Sequence, residues 1–446
     1  MKFTRAVPFL PLASALVITD SKILQSLEHS GKRIIDSTQN VLDDAFSKTK
    51  ETIKVIGDNT YHKIHDAGCD VESWLDGSTL DGDLKGPEEE DPHHPPHHRK
   101  PHHPPHHEKP NQTVYELISK SKYTTKLTKL INEYDDLVEA LNGTKANYTV
   151  FAPTDAAFEK IPKHGHKPSK EFLKDLLLYH VSDSFYPAGR VLHSYTIPTL
   201  YEPENLGGKQ RLTVRVTLKG PAINFYSKIV AANIFGTNGV IHGVDSILVP
   251  PPRVAQIIDL LPGEFSTLEL GLQKTGLYEK INSTDYPHNG GTFFAPSNFA
   301  FQKLGPKINA FLFSKYGEKY LKALLEYHIV VDQTLYSDAY YDGTDKDTEA
   351  SDRPPYYHFD LPTVLKGKFL AVDVARYGPF VEIKINGFSR VTVHDGVASD
   401  GVIQVVSNVL IPPKNANGEQ TYEDGEMSVE EFKQRLEPFM EENLEL

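Results

Sequence analysis

Residues 149–161 read TVFAPTDAAFEKI, and residues 292–304 read TFFAPSNFAFQKL. Seven of the thirteen positions are identical, and Asp155/Asn298, Glu159/Gln302 and Ile161/Leu304 exchange residues of similar shape. Each copy reads as local-structure chemistry. Val150 and Phe151 suit a strand, Pro153 ends it by removing a ladder donor, and Thr154 or Asp155 is placed to cap a helix. The inward face of that helix is expected to carry Ala157, Phe158 and Ile161, and in the second copy Ala300, Phe301 and Leu304. Capping needs a short side-chain oxygen, which Thr, Ser, Asp and Asn all supply. A catalytic carboxylate could not become Asn298, so the repeated chemistry is capping and packing.

Three further anchors recur in the same order around this stretch. A helical lead at 113–144 is matched at 253–284, LLLYHV at 176–181 by LLEYHI at 324–329, and GVIHGVDSILVPP at 239–251 by GVIQVVSNVLIPP at 401–413. The spacing widens between the third and fourth anchors, which predicts an insertion in the second copy. Residues 341–360, rich in Asp, Gly and Pro, read as its exposed loop. After each helical lead come Val-, Ile-, Thr- and Phe-rich runs such as RLTVRVTL, INFYS, KIVAANI and GVIHGVDSILV, which read as strands. Helices first and strands later predict an α+β chain with two domains, 111–252 and 253–413. His242 becomes Gln404, and Asp245 becomes Ser407 or Asn408; hydrogen bonding survives those exchanges, whereas acid–base or metal chemistry does not.

Taken in order, the helical lead, T-V-F-A-P-T-D-A-A-F, Y-H and N-G-V-I-H-G-V-D-S-I-L-V-P resemble the fasciclin I domain, present twice in tandem between about 111 and 414. The resemblance implies two β-wedges with packed helices and membership among secreted or surface-attached proteins, including fungal ones. It implies cell adhesion and matrix interaction, with cell-surface or matrix and wall proteins or glycans as partners, and no enzymatic mechanism. In matrix members the Y-H pair is an adhesion element, which corresponds here to Tyr179, His180, Tyr327 and His328. A structural role, closing a helix and bonding into the core, is the competing and favoured reading. An Asp-Ile pair ahead of N-G-V-I-H is the other adhesion element; Asn233-Ile234 and Asp395-Gly396 depart from it, so animal-type integrin binding is not expected.

Outside the repeats, Lys2 and Arg5 precede an apolar run with an A-x-A-like site at Ala13 and Ala15, so residues 1–20 read as a secretory signal peptide. No later run is apolar enough to span a membrane, and the acidic end does not suit a lipid anchor. Residues 21–75 carry apolar positions at helical spacing, an amphipathic segment suited to packing or self-association in preference to serving as a removable pro-segment. Residues 76–110 form a His/Pro-rich linker holding eight of the chain's 20 histidines. A tract without fixed geometry makes no ordered metal site, and it is read as a spacer that gains charge below about pH 6.5. Cys69, the sole cysteine, reads as a free thiol. Asn111, Asn142, Asn147 and Asn282 open N-glycosylation sequons, in keeping with secretion. Residues 414–446 form an acidic, solvated tail in which Ser428 and Glu431 make a capping box ahead of Phe432 and Leu436.

A formal net charge of -13 argues against nucleic acid as partner. No nucleophile, phosphate-loop, dinucleotide or metalloprotease motif is present, so no catalytic residue, cofactor or metal is assigned. The sequence therefore predicts a non-enzymatic adhesion and interaction protein, secreted or on the cell surface. The alternatives are a luminal or vacuolar protein that recruits partners, and a scaffold that oligomerises through its N-terminal segment.

Overall fold

A computed structural model describes residues 74–75, 110–144, 147–161, 168–217, 220–282, 288–342, 355–377, 380–413 and 427–439. The expected signal peptide, Cys69, nearly all of the expected amphipathic segment and His/Pro linker, and the acidic tail apart from 427–439 lie outside the described residues. The chain divides into two units: described residues within 74–191 and 216–248 form the first, and those within 192–215 and 249–439 the second.

The helical lead of the first repeat folds as α1 (Val114–Lys120), α2 (Thr125–Ile131) and α3 (Asp135–Asn142). Thr113 starts it with a full capping box: its hydroxyl accepts from the Glu116 amide and its own amide donates to the Glu116 carboxylate. Val114, Leu117, Ile118, Leu127, Ile131 and Leu141 turn inward. Next come β1 (Tyr148–Pro153), α4 (Asp155–Glu159), α5 (Lys170–Tyr179), β2 (Val181–Ser182), α6 (Ala188–His193) and β3 (Thr196–Pro198). Four strands follow: β4 (Arg211–Thr217), β5 (Gly220–Ile223), β6 (Ser227–Gly236) and β7 (Gly239–Val244). The sheet order is β2-β1-β7-β6-β5-β4-β3.

The second repeat retraces this plan. Its lead is α7 (Val254–Leu260), α8 (Pro262–Lys274) and α9 (Leu277–Asn282), followed by β8 (Gly291–Pro296), α10 (Asn298–Lys303), α11 (Gly305–Leu312) and α12 (Glu318–Glu326). The strands β9 (Ile329–Val331), β10 (Gln333–Leu335), β11 (Tyr340–Asp342), β12 (Tyr356–Pro362), β13 (Phe369–Tyr377), β14 (Phe380–Ile385), β15 (Ser389–Ala398) and β16 (Gly401–Val406) come next. The main sheet runs β12-β13-β14-β15-β16-β8-β9, with β10 and β11 as a separate pair. Helix α13 (Val429–Leu436) and a 3-10 turn (Glu437–Phe439) close the described chain. The expected α+β class with two tandem β-wedges and packed helices is the observed fold.

The opening anchor and the G-V-I anchor pair directly. β1 lies parallel to β7, with Phe151 opposite His242, and β8 lies parallel to β16, with Phe294 opposite Gln404. All residues of β7 and β16 are buried, as strands covered on both faces must be. Glycine opens both strands for a steric reason. A Cβ at Gly239 would sit 2.2 Å from the Tyr148 carbonyl oxygen, and one at Gly401 2.5 Å from that of Gly291.

Four sequence expectations change. INFYS is not a strand but the end of β5 and a tight turn, because Asn224 and Phe225 take left-handed backbone before Ser227 pairs with Ile223. Within 341–360, Tyr341 and Asp342 belong to β11 and Tyr356–Asp360 to β12, which pairs with β13, so these residues are strand rather than loop; residues 343–354 lie outside the described residues. Ile161 does not face inward; it is half exposed beyond the end of α4. The tail is not simply solvated, since Phe432 and Leu436 are fully buried in the second unit's core. There the Ser428 hydroxyl accepts from the Glu431 amide, while the Glu431 carboxylate turns to Arg435.

Candidate functional site

The Tyr-His pairs bond to two of the other three anchors, the opening stretch and the G-V-I anchor. In the first unit, α5 ends at Tyr179, and both Tyr179 and His180 are buried. His180 Nδ1 donates to the Leu176 carbonyl at 2.7 Å, and its Nε2 accepts from the Leu248 amide at 2.9 Å. The His180 carbonyl accepts from the Phe151 amide of β1. Tyr179 Oη accepts from the Asn224 side-chain amide at 2.8 Å. The second unit is built the same way: His328 Nδ1 donates to Leu324, its Nε2 accepts from Leu410, its carbonyl accepts from Phe294, and Tyr327 Oη accepts from Asn386. An amide donor at Nε2 requires the proton on Nδ1, so one tautomer is fixed in both units. Burial keeps both imidazoles neutral, their pKa lowered to about 4 against a weaker upward pull from the Leu176 and Leu324 carbonyls. With both nitrogens engaged, neither ring has a position left for a metal or a transferred proton.

Asn224 and Asn386 were missed in the sequence reading. Both sit in hairpin turns with left-handed backbone, where asparagine is tolerated, and both reach the tyrosine hydroxyl. The signal was available as a fifth anchor: Ile223-Asn224-Phe225-Tyr226-Ser227 against Ile385-Asn386-Gly387-Phe388-Ser389.

A second repeated constellation surrounds the departed Asp-Ile position. Asn233 and Asp395 both have positive φ, at 60° and 58°, where the pairing of β6 with β7 and of β15 with β16 shifts register, as at a β-bulge. The Asn233 side chain accepts from the Ala188 amide, and the Asp395 carboxylate from the Ser337 amide and hydroxyl. His242 Nδ1 accepts from the Asn233 amide while its Nε2 donates to Tyr186; Gln404 Oε1 accepts from the Asp395 amide while its Nε2 donates to Leu335. Imidazole and carboxamide thus do one job, which is why the exchange is tolerated. Burial lowers the His242 pKa to about 4. Burial alone would raise the Asp395 carboxyl, but His394, Arg215 and the Ser337 hydroxyl hold it below the usual carboxylate range. Asp245 and Ser407 correspond as well, accepting from the Lys228 and Arg390 amides.

The opening stretch caps helices differently from its sequence reading. Ser297 does cap α10, accepting from Ala300, but the Thr154 side chain makes no capping bond. Asp155 instead reaches the start of α2, accepting from the Thr125 amide and hydroxyl and the Lys126 amide. Asn298 occupies the corresponding place beside α8: its oxygen accepts from the Thr267 amide and its nitrogen donates to the Pro262 and Gly263 carbonyls. Each residue matches its surroundings, donors only for Asp155 and both kinds for Asn298.

The fasciclin domain model matches residues 122–250 and 263–412. The chain belongs to the fasciclin domain family. Among its relatives, aurofusarin biosynthesis cluster protein S of Gibberella zeae is 30% identical over 328 residues, covering 70% of this chain and 80% of the relative. Transforming growth factor-beta-induced protein ig-h3 of Sus scrofa is 27% identical over 319 residues, 67% of this chain but 40% of the relative's length. A solved FAS1 domain pair from the insect cell adhesion molecule Fasciclin I is 18% identical with a TM-score of 0.32, covering 64% of this chain and 96% of that one.

Of the sequon asparagines in these fasciclin repeats, Asn111, Asn142 and Asn147 are exposed, and Asn282 is partly buried at the end of α9. Among the described residues, no group of three or more His, Cys, Asp or Glu side chains is arranged to hold a metal, and no helix is long and apolar enough to cross a membrane. The largest exposed apolar side chains of the second unit include Tyr316, Phe299, Tyr356, Phe369 and Tyr377. Tyr356 and Tyr377 share the outer face of β12 and β13 with His358, whose Nδ1 lies 2.8 Å from the Asp373 carboxylate.

Proposed function

We propose that this chain is a secreted or cell-surface adhesion and interaction protein whose two fasciclin units bind matrix or wall proteins or glycans without catalysis. The observation that carries the reading is the burial of the repeated Tyr-His pairs and of His242 and Gln404 in bonds that hold the fold, which leaves recognition to the exterior. Tyr179-His180 and Tyr327-His328 act from inside, fixing the helix ends that shape the surface. Contact falls to exposed aromatics such as Tyr356 and Tyr377, a residue type favoured at recognition surfaces. The non-enzymatic part is supported by the small size of the pocket beside Asp400, about 50 Å³ among the described residues, against the roughly 300 Å³ at which ligand clefts begin. Passage through the secretory pathway, with glycans at the exposed sequons, agrees with the N-terminal sequence.

The test is binding of the purified full chain to cell-surface and wall fractions, with Tyr356→Ser/Tyr377→Ser as the comparison. Binding that drops at least several-fold in the double variant supports the reading. No binding to any surface or wall fraction overturns it. A second reading, a partner-recruiting protein of the secretory lumen or vacuole, draws on the Gibberella relative named for a biosynthesis cluster, which this chain matches over most of its length. Retention of the tagged native protein inside secretory compartments, with none in the medium or wall, selects it.

A further inference from the structure

Trp74 is the chain's only tryptophan, and it stands far from the first fasciclin repeat in sequence, beyond the His/Pro tract. In space it is part of the first unit, 1% exposed. Its indole lies against β7 at Gly243, where an added Cβ would come within 2.9 Å of ring atom Cζ3. The Tyr123 ring packs beside it at 6.0 Å between centroids, and the Trp74 carbonyl accepts a 2.9 Å bond from the buried Ser121 hydroxyl. The indole N–H is buried without an acceptor, so the seat is held by ring burial and one main-chain bond.

The second unit has no such seat. Val405 stands where Gly243 stands in the first, and Leu261 follows the start of its helical lead at the same distance as Ser121. Val405 is itself buried, filling the space an indole would need. Gly243 departs from its repeat partner in the one direction that opens a slot for a large ring, and the chain supplies a single large ring to fill it.

We propose that the first fasciclin unit carries a tryptophan socket formed by Gly243, Tyr123 and Ser121, and that Trp74 is its built-in ligand. The chain is thereby pinned to one unit at both ends of the His/Pro tract, at Trp74 before it and at Thr113 after it. This assignment is independent of the adhesion reading and stands or falls without it.

Because Trp74 is the only tryptophan, its fluorescence in the full chain reads the socket directly. The expected wild-type signal is blue-shifted emission with iodide quenching several-fold weaker than that of free tryptophan amide. Gly243→Val, which installs the second repeat's residue, should red-shift the emission and raise quenching several-fold while the far-ultraviolet circular dichroism is kept. Should that variant fail to fold, Ser121→Ala, which removes only the bond to the Trp74 carbonyl, is expected to raise quenching in the same direction. Solvent-like emission and full quenching in the wild type overturn the proposal. So does unchanged quenching in a folded Gly243→Val chain, which would put the ring elsewhere.

Discussion

His180, His242 and His328 are three fully enclosed imidazoles with one shared property: burial holds each neutral down to about pH 4. In the unfolded chain a histidine takes its proton near pH 6.5. Between those values the unfolded state binds more protons than the folded one, so stability is full above 6.5 and declines as pH falls toward 4. The loss approaches roughly 3 kcal/mol for each such group. Two of the three lie in the first unit and one in the second, so acid should weaken the first unit more. Hydrogen exchange followed by mass spectrometry at pH 7 and pH 5, corrected for intrinsic rate, is expected to show the larger loss of protection in β1 and β7 than in β8 and β16. His242→Gln tests the cause. Gln404 already makes the equivalent two bonds in the second unit, so the variant should stay folded and lose about half of the first unit's acid sensitivity, read from denaturation midpoints against pH. An undiminished pH slope would remove His242 from the account.

Asp155 and Asn298 show what an element demands of one side chain. Asp155 serves the start of α2, where every group facing its carboxylate is a donor. Asp155→Ala should cost about 1–2 kcal/mol, the usual loss of a helix cap. Asn298→Asp should cost a comparable 1–3 kcal/mol, because a carboxylate cannot donate to the Pro262 and Gly263 carbonyls. Both values come from urea denaturation of the full chain, and a neutral Asn298→Asp would show that the amide bonds do not matter. The Asp-to-Asn exchange was legible as evidence against catalysis, and the strand, proline break and helix around it were legible from local pattern. Which helix Asp155 caps was not legible, because α2 is brought to it only by tertiary packing. The same limit explains Ile161, whose helical spacing pointed inward although α4 stops at Glu159. INFYS failed for another reason: its β-forming side chains conceal a turn that Asn224 makes possible by adopting left-handed backbone. The burial of the Tyr-His pairs could be anticipated from their Leu-rich flanks, whereas the partners at Leu248 and Leu410 belong to distant anchors and needed the fold.

Across the whole molecule, segments outside the repeated anchors complete the cores of the two units, each in a different manner. The first unit takes in Trp74, and the second takes in α13, whose Phe432 and Leu436 join the cluster formed by Leu312, Leu321 and other residues of α11 and α12. Composition hid this second attachment. The tail carries ten acidic and three basic residues from Lys414 onward, which reads as a solvated end, yet within α13 Phe432 and Leu436 are buried while Glu430, Glu431, Lys433 and Arg435 are not. If α13 is integral to the second unit, Phe432→Ala opens a cavity beneath α11 and α12 and should cost about 3–5 kcal/mol, as large-to-small changes in a closed core do. If the helix is only a surface appendage, the same change costs a few tenths, in the range of ordinary exposed substitutions. Hydrogen exchange separates the two outcomes by place as well as size. Protection should fall in 305–326, which α13 covers, while α2 and α3 of the first unit keep theirs; unchanged exchange in 305–326 would detach the C-terminal helix from the fasciclin core.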